Sequence, residues 1–496
     1  MKIKIFVLIM IFTAGFAMLP QSGNAFFHTD GKQIIDLDGN PILLQGMGLG
    51  GWLVPEGYML KIPGYGSPTY IDSLVEDLIG PQNRDQFWQI YRDNYVNRSD
   101  ILKLGEWGFN SIRLPFHYKL FYDTTAAAFR PEGFALLDSL LDWCAEAEIY
   151  VVLDMHCAPG GQNKDNISDS DGIEARLWTN PANRTLTMKI WKEIAGRYVN
   201  ETRIIGYDLI NEPVLPSGYS NAVLQDFYVQ LTDTIRQVDN NHIVFIEGNW
   251  YATDFSQLTP PFDNNMVYSF HKYWNDTNVG TIQYLLDISN QYNVPLWMGE
   301  SGENSNPWFW EAVRLFEQYN IGWCWWTHKK IATLTSPRSA PLTAGYETVL
   351  NYWRGQTPRP SQSFAKNALF EMAGNLALPL CEERPGVLRA LFDSDFGNQS
   401  HPFGTNNIPG TLYAVDYDFG SNAAGYKDED FKNVQGPGGA TWNQGWEYRN
   451  DGVDIEVCQD TSGPGYDVGW IEANEWLKFT VNVLSGGDYT LKLRVA

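Results

Sequence analysis

The sequence predicts an α/β protein, a (β/α)8 barrel followed by a small all-β sandwich. Three observations carry this. Eight short apolar runs of strand character recur at 42–46, 111–114, 150–155, 205–210, 242–247, 266–269, 295–299 and 321–326, most of them separated by a stretch of helical periodicity. Six of the eight end on polar or aromatic residues, as at the working face of a barrel. After about residue 373 the texture changes to short strands with turn residues and no intervening helices.

Taken in order, residues 1–25 read as a secretory signal: Lys2 and Lys4, an apolar run to Leu19, then small residues Gly23-Asn24-Ala25. The mature chain is therefore expected to be secreted or periplasmic. No later segment offers about 20 successive apolar residues, so no membrane partner is expected after signal removal. Around Asp38-Gly39, residues 31–44 alternate as a β-hairpin. Phe134, Leu137, Leu141 and Cys144 share one helical face, as do Leu186, Ile190 and Ile194, and Trp310, Val313, Leu315 and Phe316 form a similar stripe. The catalytic unit is expected to span 26–396 with a closing helical segment, and 397–407, rich in Gly, Asn and Pro, reads as a linker. Residues 408–496 then form the sandwich, with strands expected at 412–417, 453–457, 470–471, 476–483 and 489–495.

Composition bounds the function. With 44% hydrophobic and 19% charged residues, the chain can bury a core, and general disorder is excluded. Lys+Arg 35 against Asp+Glu 58 gives a net charge of −23, and the basic run Lys329-Lys330 stands alone. Nucleic acid is not an expected partner. Nineteen Trp and 26 Tyr serve either core packing or sugar stacking. The five cysteines allow at most two disulfides and show no zinc spacing; they read mainly as small buried hydrophobes.

The strand ends carry the chemistry. Arg113 closes the second run, His156 the third, Asn211-Glu212 the fourth, His271 and Tyr273 the sixth, Glu300 the seventh and Trp326 the eighth. A lone Glu at a strand end is ordinarily a salt-bridge partner. Two of them facing each other across a barrel mouth are what glycosidic cleavage requires, one to protonate the leaving oxygen and one to attack or to activate water. Gly299-Glu300-Ser301-Gly302-Glu303 has a superficial likeness to a serine nucleophile elbow, but Glu303 replaces the last glycine. The acidic stretch 165–171 fits no calcium loop.

Ile210-Asn211-Glu212-Pro213, Phe109-Asn110-Ser111-Ile112-Arg113, Leu153-Asp154-Met155-His156, His271-Lys272-Tyr273 and Met298-Gly299-Glu300 together resemble the motifs of glycoside hydrolase family 5, in order, across roughly residues 30–375. The resemblance implies that Glu212 is the general acid/base and Glu300 the nucleophile of a retaining mechanism. It further implies that Asn211 binds the 2-hydroxyl and Tyr273 hydrogen-bonds the nucleophile. Arg113 would keep that nucleophile ionised, His156 and His271 would position sugar and acid, and Trp326 would floor the −1 sugar. The acid is expected to keep its proton near neutral pH through burial and a negative neighbour. The implied activity is an endo-acting β-1,4-glucanase working on β-glucan polysaccharide or oligosaccharide, as a monomer, with no cofactor and no catalytic metal. The alternatives are a β-1,3- or mixed-linkage glucanase, a xyloglucanase or a mannanase, and, from another class, a non-catalytic glycan-binding protein. Ala158-Pro159-Gly160-Gly161-Gln162-Asn163 is similar to a loop of the family's β-1,3-glucanase branch.

The C-terminal stretch, through Gly452-Val453-Asp454-Ile455-Glu456, Val468-Gly469-Trp470-Ile471 and Glu475-Trp476-Leu477, resembles a family 6 carbohydrate-binding module that stops short of its last strands. That resemblance implies a structural calcium, although Val415 stands where one acidic ligand is expected. It leaves Tyr448 as the candidate sugar platform, with ordinary sandwich packing as the alternative. Such a module is expected to be dispensable for hydrolysis of soluble glucan.

Overall fold

The computed structural model describes residues 25–460 and 463–495. The signal reading for residues 1–25 lies almost wholly outside them. Eight parallel strands close into a barrel: β1 (Gln45–Gly48), β2 (Ser111–His117), β3 (Tyr150–Cys157), β4 (Ile204–Asp208), β5 (Ile243–Glu247), β6 (Met266–Lys272), β7 (Leu296–Gly302) and β8 (Gly322–Trp326). Their order round the barrel follows the chain, with β8 pairing back to β1. Seven of the expected runs overlap their strands closely. The first differs: Pro41–Ile42 pairs antiparallel with Gln33–Ile35, and the barrel strand starts only at Gln45. The turn at Asp38-Gly39 consumes residues 41–42 in its own hairpin, so β1 shifts C-terminally.

Side chains alternate faces along a strand, so inward residues recur every second position and stack in layers. At the bottom lies an apolar layer from Val152, Ile205, Phe245, Val267, Trp297 and Cys324, stoppered by Phe27, Ile34 and Leu44 of the hairpin region. Above it comes a charged layer, two residues further along β3 and β5 and three along β4, where the ladder is irregular, with Arg113, Asp154, Asp208 and Glu247 all fully buried. Above these, His156, His271, Glu300 and Trp326 open onto the C-terminal mouth.

Helices surround the barrel, among them α1 (Pro131–Ala147), α2 (Pro181–Tyr198), α3 (Asn221–Arg236), α4 (Gln283–Tyr292) and α5 (Asn306–Gln318). The stripe Phe134, Leu137, Leu141 and Cys144 is buried as expected; on α5, Val313 and Phe316 are buried while Trp310 and Leu315 are only partly covered. All five cysteines are free, four of them buried. Among the described residues no helix is long and apolar enough to cross a membrane.

Beyond the closing helix Pro385–Phe392 the chain forms a small β unit of three two-stranded ladders. These pair Asn406–Ile408 with Val481–Val483, Tyr426–Lys427 with Trp476–Leu477, and Ile455–Val457 with Tyr466–Val468, around a core of Val415, Tyr417, Tyr426, Val453 and Ile455. The run expected at 412–417 is a 3-10 turn at Ala414–Asp416, and 470–471 and 489–495 form no strand. Leu491, Leu493 and Val495 alternate as a strand would but are exposed. A strand exists only as one of a pair, and no described residues pair with them. Residues 397–407 have a linker's composition but not its freedom: His401 and Phe419 exchange backbone hydrogen bonds, and Asn406 already belongs to a ladder.

Candidate active site

The charged layer is organised by one guanidinium. Arg113, on β2, donates from Nε to Asp208 Oδ2 at 2.9 Å, and from Nη2 to Glu247 Oε1 at 2.8 Å and Asn211 Oδ1 at 2.9 Å. Its Nη1 reaches Asp154 at 3.1 Å and also pairs with Glu300 Oε1. Five donors in a planar fork suit this radial task, which a lysine could not perform. The other oxygen of Glu300 accepts from Tyr273 Oη at 3.1 Å. Glu300 and His271 are register partners across β6 and β7 beside an irregularity in the ladder.

Glu212 lies just past β4 in a left-handed backbone conformation, φ +44°, uncommon for a residue with a Cβ. Its N–H donates to Glu247 Oε2 at 2.6 Å and its carbonyl accepts from Asn163 Nδ2 at 2.9 Å, so partners on both sides hold the strained residue. Its carboxylate meets His271 Nδ1 at 2.8 Å. One carboxylate oxygen each of Glu212 and Glu300, with a ring nitrogen of His271, lie within 4.8 Å of one another. Asp154, His156 and Glu300 form a second such triplet. In both, hydrogen bonds from Arg113, Tyr273 and the imidazoles reach oxygens of the carboxylates.

Trp326 closes the site on the β8 side. Its ring lies parallel to His156, 8° between planes and 5.4 Å between centroids, and Nε1 donates to Tyr58 Oη at 2.8 Å. Glycines at and just past the end of β1 make its room: a Cβ on Gly50 would fall 2.5 Å from two indole carbons, and one on Gly48 2.8 Å from a third. The structure thus brings together eight of the nine candidate residues. Tyr448 stands apart, in the C-terminal unit, where its ring stacks on Tyr466 at 4.9 Å and its hydroxyl donates to Asp416 at 2.8 Å. These are the contacts of packing.

A family model described as cellulase (glycosyl hydrolase family 5) matches residues 79–330. The chain belongs to glycosyl hydrolase family 5. It is 34% identical over 252 residues to a beta-xylosidase of Phanerodontia chrysosporium, an alignment covering 50% of this chain and 52% of that one, so the chain matches about half of that relative's length. It is 25% identical over 302 residues to Endoglucanase C of Acetivibrio thermocellus, covering 48% of this chain and 85% of the other. Among solved structures, an endogalactoceramidase shares the fold with a TM-score of 0.51 and 19% identity, over 76% of this chain and 85% of that one.

In this family 5 chain the electrostatics follow from burial and pairing. Burial opposes the charge on Arg113, but Asp154, Asp208, Glu300 and Glu247 outweigh it and hold the guanidinium firmly protonated. Burial, with Glu247 beside it, pushes Asp208 well above the usual carboxylate range. His156 is pushed up to about 9, because Asp154, Glu300 and Glu56 overcome its desolvation. His271 is likewise held well above its ordinary value against burial, by Glu247, Glu300 and Glu212. Burial alone would raise Glu212, yet the His271 hydrogen bond and charge, with His156 and Arg113, hold it below its ordinary value. That direction runs against the expectation that burial and a negative neighbour favour a protonated Glu212: the hydrogen bond and charge of His271 outweigh burial.

Sequence reasoning missed Glu56, Asp208 and Glu247. Glu247 shares the inward parity of Phe245 on its strand, a signal that was there to be used, whereas Asp208 lies three residues beyond Ile205, past an irregularity in the ladder. Glu56 sits in the loop after β1, buried, with Oε1 free of any hydrogen-bond partner among the described residues and 4.0 Å from His156 Nε2.

Replacing Arg113 by leucine should cost about 3–5 kcal/mol, since it leaves several buried acids without their cation. The loss should grow as pH rises from 4 to 7, because the orphaned acids resist ionisation in the folded state while the unfolded chain ionises freely. Denaturant melts at both pH values check this; equal losses would assign the effect to packing.

Proposed function

We propose that this chain is a retaining β-glycosidase acting on β-glucan, with endo-β-1,4-glucanase action as the specific reading. One observation carries the retaining mechanism: carboxylate oxygens of Glu212 and Glu300 approach within 4.8 Å. Retaining enzymes hold their carboxyls about 5–5.5 Å apart, whereas inverting ones need about 6.5–9.5 Å to admit a water. Glu300, paired with Arg113 and a phenol donor, is the nucleophile that attacks C1. Glu212 gives a proton to the departing glycosidic oxygen, then takes one from the water that releases the sugar from Glu300. A sugar in the mouth excludes water, and a drier site favours the neutral Glu212–His271 pair over the ion pair, which moves the proton onto the acid as substrate arrives. Asn211 Nδ2, buried and without a hydrogen-bond partner among the described residues, is the donor for the 2-hydroxyl. Acid, nucleophile and charge stabilisation all come from side chains, so the reading needs no cofactor. A pure glycan binder would have no use for the opposed carboxylates.

Relatives named endoglucanase and glucan 1,3-beta-glucosidase, the latter 26% identical over 215 residues, fit a β-glucan substrate. The signal-like start fits export, and the C-terminal unit is read as a carbohydrate-binding module. The test is product analysis on carboxymethylcellulose, barley β-glucan, laminarin, xyloglucan and mannan, with the anomeric configuration followed by NMR. Short β-1,4 oligosaccharides released with retained configuration are expected. An inverted first product would overturn the mechanism, and cleavage of laminarin alone would move the linkage to β-1,3.

Trp326 is the sugar floor in this reading. Gly50→Ala should force the indole from its place at about 1–3 kcal/mol of stability, and should lower kcat/KM by about tenfold, in line with lost stacking. Thermal melts beside Michaelis parameters check this; lost stability with unchanged kinetics would mean substrate does not use the indole.

A further inference from the structure

A buried polar seam joins the barrel to the C-terminal unit, and it is centred on the loop that follows Glu300. The side-chain amide of Asn304 donates to Asn433 O at 2.6 Å and accepts from Asn433 N at 3.0 Å, as a neighbouring strand would. The Asn304 carbonyl accepts from Asn450 Nδ2 at 2.9 Å. Asn306, at the start of α5, donates its N–H to Asn450 O at 2.8 Å and accepts from Asn450 Nδ2 at 3.0 Å, while its own amide donates to Asp451 at 3.0 Å. All five residues are at most 4% exposed. Buried amides are held to their geometry because a shift would leave donors and acceptors unpaired.

From this seam a short path leads back to the reacting groups. Glu303 holds a left-handed backbone, φ +51°, and its carbonyl accepts from Trp274 Nε1 at 2.9 Å. The neighbour of Trp274 is Tyr273, which donates to Glu300. Ser301 Oγ donates to Lys272 O at 2.7 Å and ties the same two strand ends together.

We propose that Asn433 and Asn450 are positioning residues for the family 5 reaction, so that the C-terminal unit is a brace for the Glu300 loop rather than a detachable appendage. The inference rests on the reading of Glu300 as nucleophile. It reverses the expectation from sequence that this unit is dispensable for soluble substrates.

The test uses the full chain carrying Asn304→Ala, Asn450→Ala or the milder Asn304→Asp, with Lys432→Ala as control. Lys432 pairs with Glu311 at 2.7 Å along the same seam but does not touch the loop. Two readouts are followed: kcat and KM on barley β-glucan, and amide hydrogen exchange in peptides covering 272–276 and 300–306. In the Ala variants kcat should fall about 10–100-fold with KM within about twofold, as for misplaced reacting groups, and exchange should quicken in both peptides. Lys432→Ala should change neither. Wild-type kcat and exchange in a folded Ala variant would overturn the brace, and Asn304→Asp decides in the same way if neither Ala variant folds. A wild-type chain inactive on every glycan would refute the glycosidase reading instead, while the exchange data would still judge the brace.

Discussion

Glu300→Gln and Glu212→Gln should each lower turnover by on the order of 10³-fold or more, because nucleophilic and acid/base contributions are both large. Both should keep a native far-UV spectrum, since each replaces a carboxylate by its near-isostere. The two Ala variants then separate the roles. On an aryl glycoside with a good leaving group, Glu212→Ala should still form glycosyl-enzyme and stall there, and azide should restore turnover with retained configuration. Glu300→Ala lacks the attacking group, so a small anion should rescue it only from the opposite face, giving an inverted product. Swapped behaviour would exchange the assignments, and near-native turnover in either folded variant would remove both.

Glu56 gives the second large effect, and it concerns stability. Burial, opposed by His156 and reinforced by Glu300, Glu212 and Glu303, raises its carboxyl from 4.5 to about 8. Between those values the unfolded chain has released a proton that the folded chain still holds, so stability falls as pH rises and levels off above about pH 8. At about 1.4 kcal/mol per pKa unit the loss amounts to about 5 kcal/mol. Glu56→Gln keeps the shape and removes the titration. It should match the wild type near pH 4 and exceed it progressively toward pH 8 in denaturant melts. A constant difference across that range would show that Glu56 ionises normally in the folded protein.

Much of this was legible in the sequence, for physical reasons. Parallel strands covered on both faces must be apolar, so seven of the eight runs announce their strands, and the residues just past them announce the site. Glu212, Glu300, Arg113 and His271 are readable because a strand end fixes where a side chain points. Glu56 was not, because it hangs on a loop whose path no periodicity encodes. The room for Trp326 depends on Gly48 and Gly50, some 275 positions away, and Glu212 gives no local sign of its left-handed backbone. The seam failed for a related reason. Asn304, Asn306, Asn433 and Asn450 look like turn residues, and only the folded chain shows that they meet.

Arg113 has a wider consequence. It sits on β2 and binds Asp154 and Asp208 from the first half of the barrel, but also Glu247 and Glu300 from the second. Cut between β4 and β5, the amino-terminal half would keep the cation with two of its acids, and the carboxy-terminal half would hold two buried acids with no guanidinium. Each half would lose partners that the whole barrel supplies, and His271 alone would be left as an ion-pair partner of Glu247 and Glu300 in the second. However readily half-barrels duplicate and recombine as pieces of architecture, in this chain each would be a poor free-standing folding unit, and a foreign half would have to supply matching charges before it could replace either one.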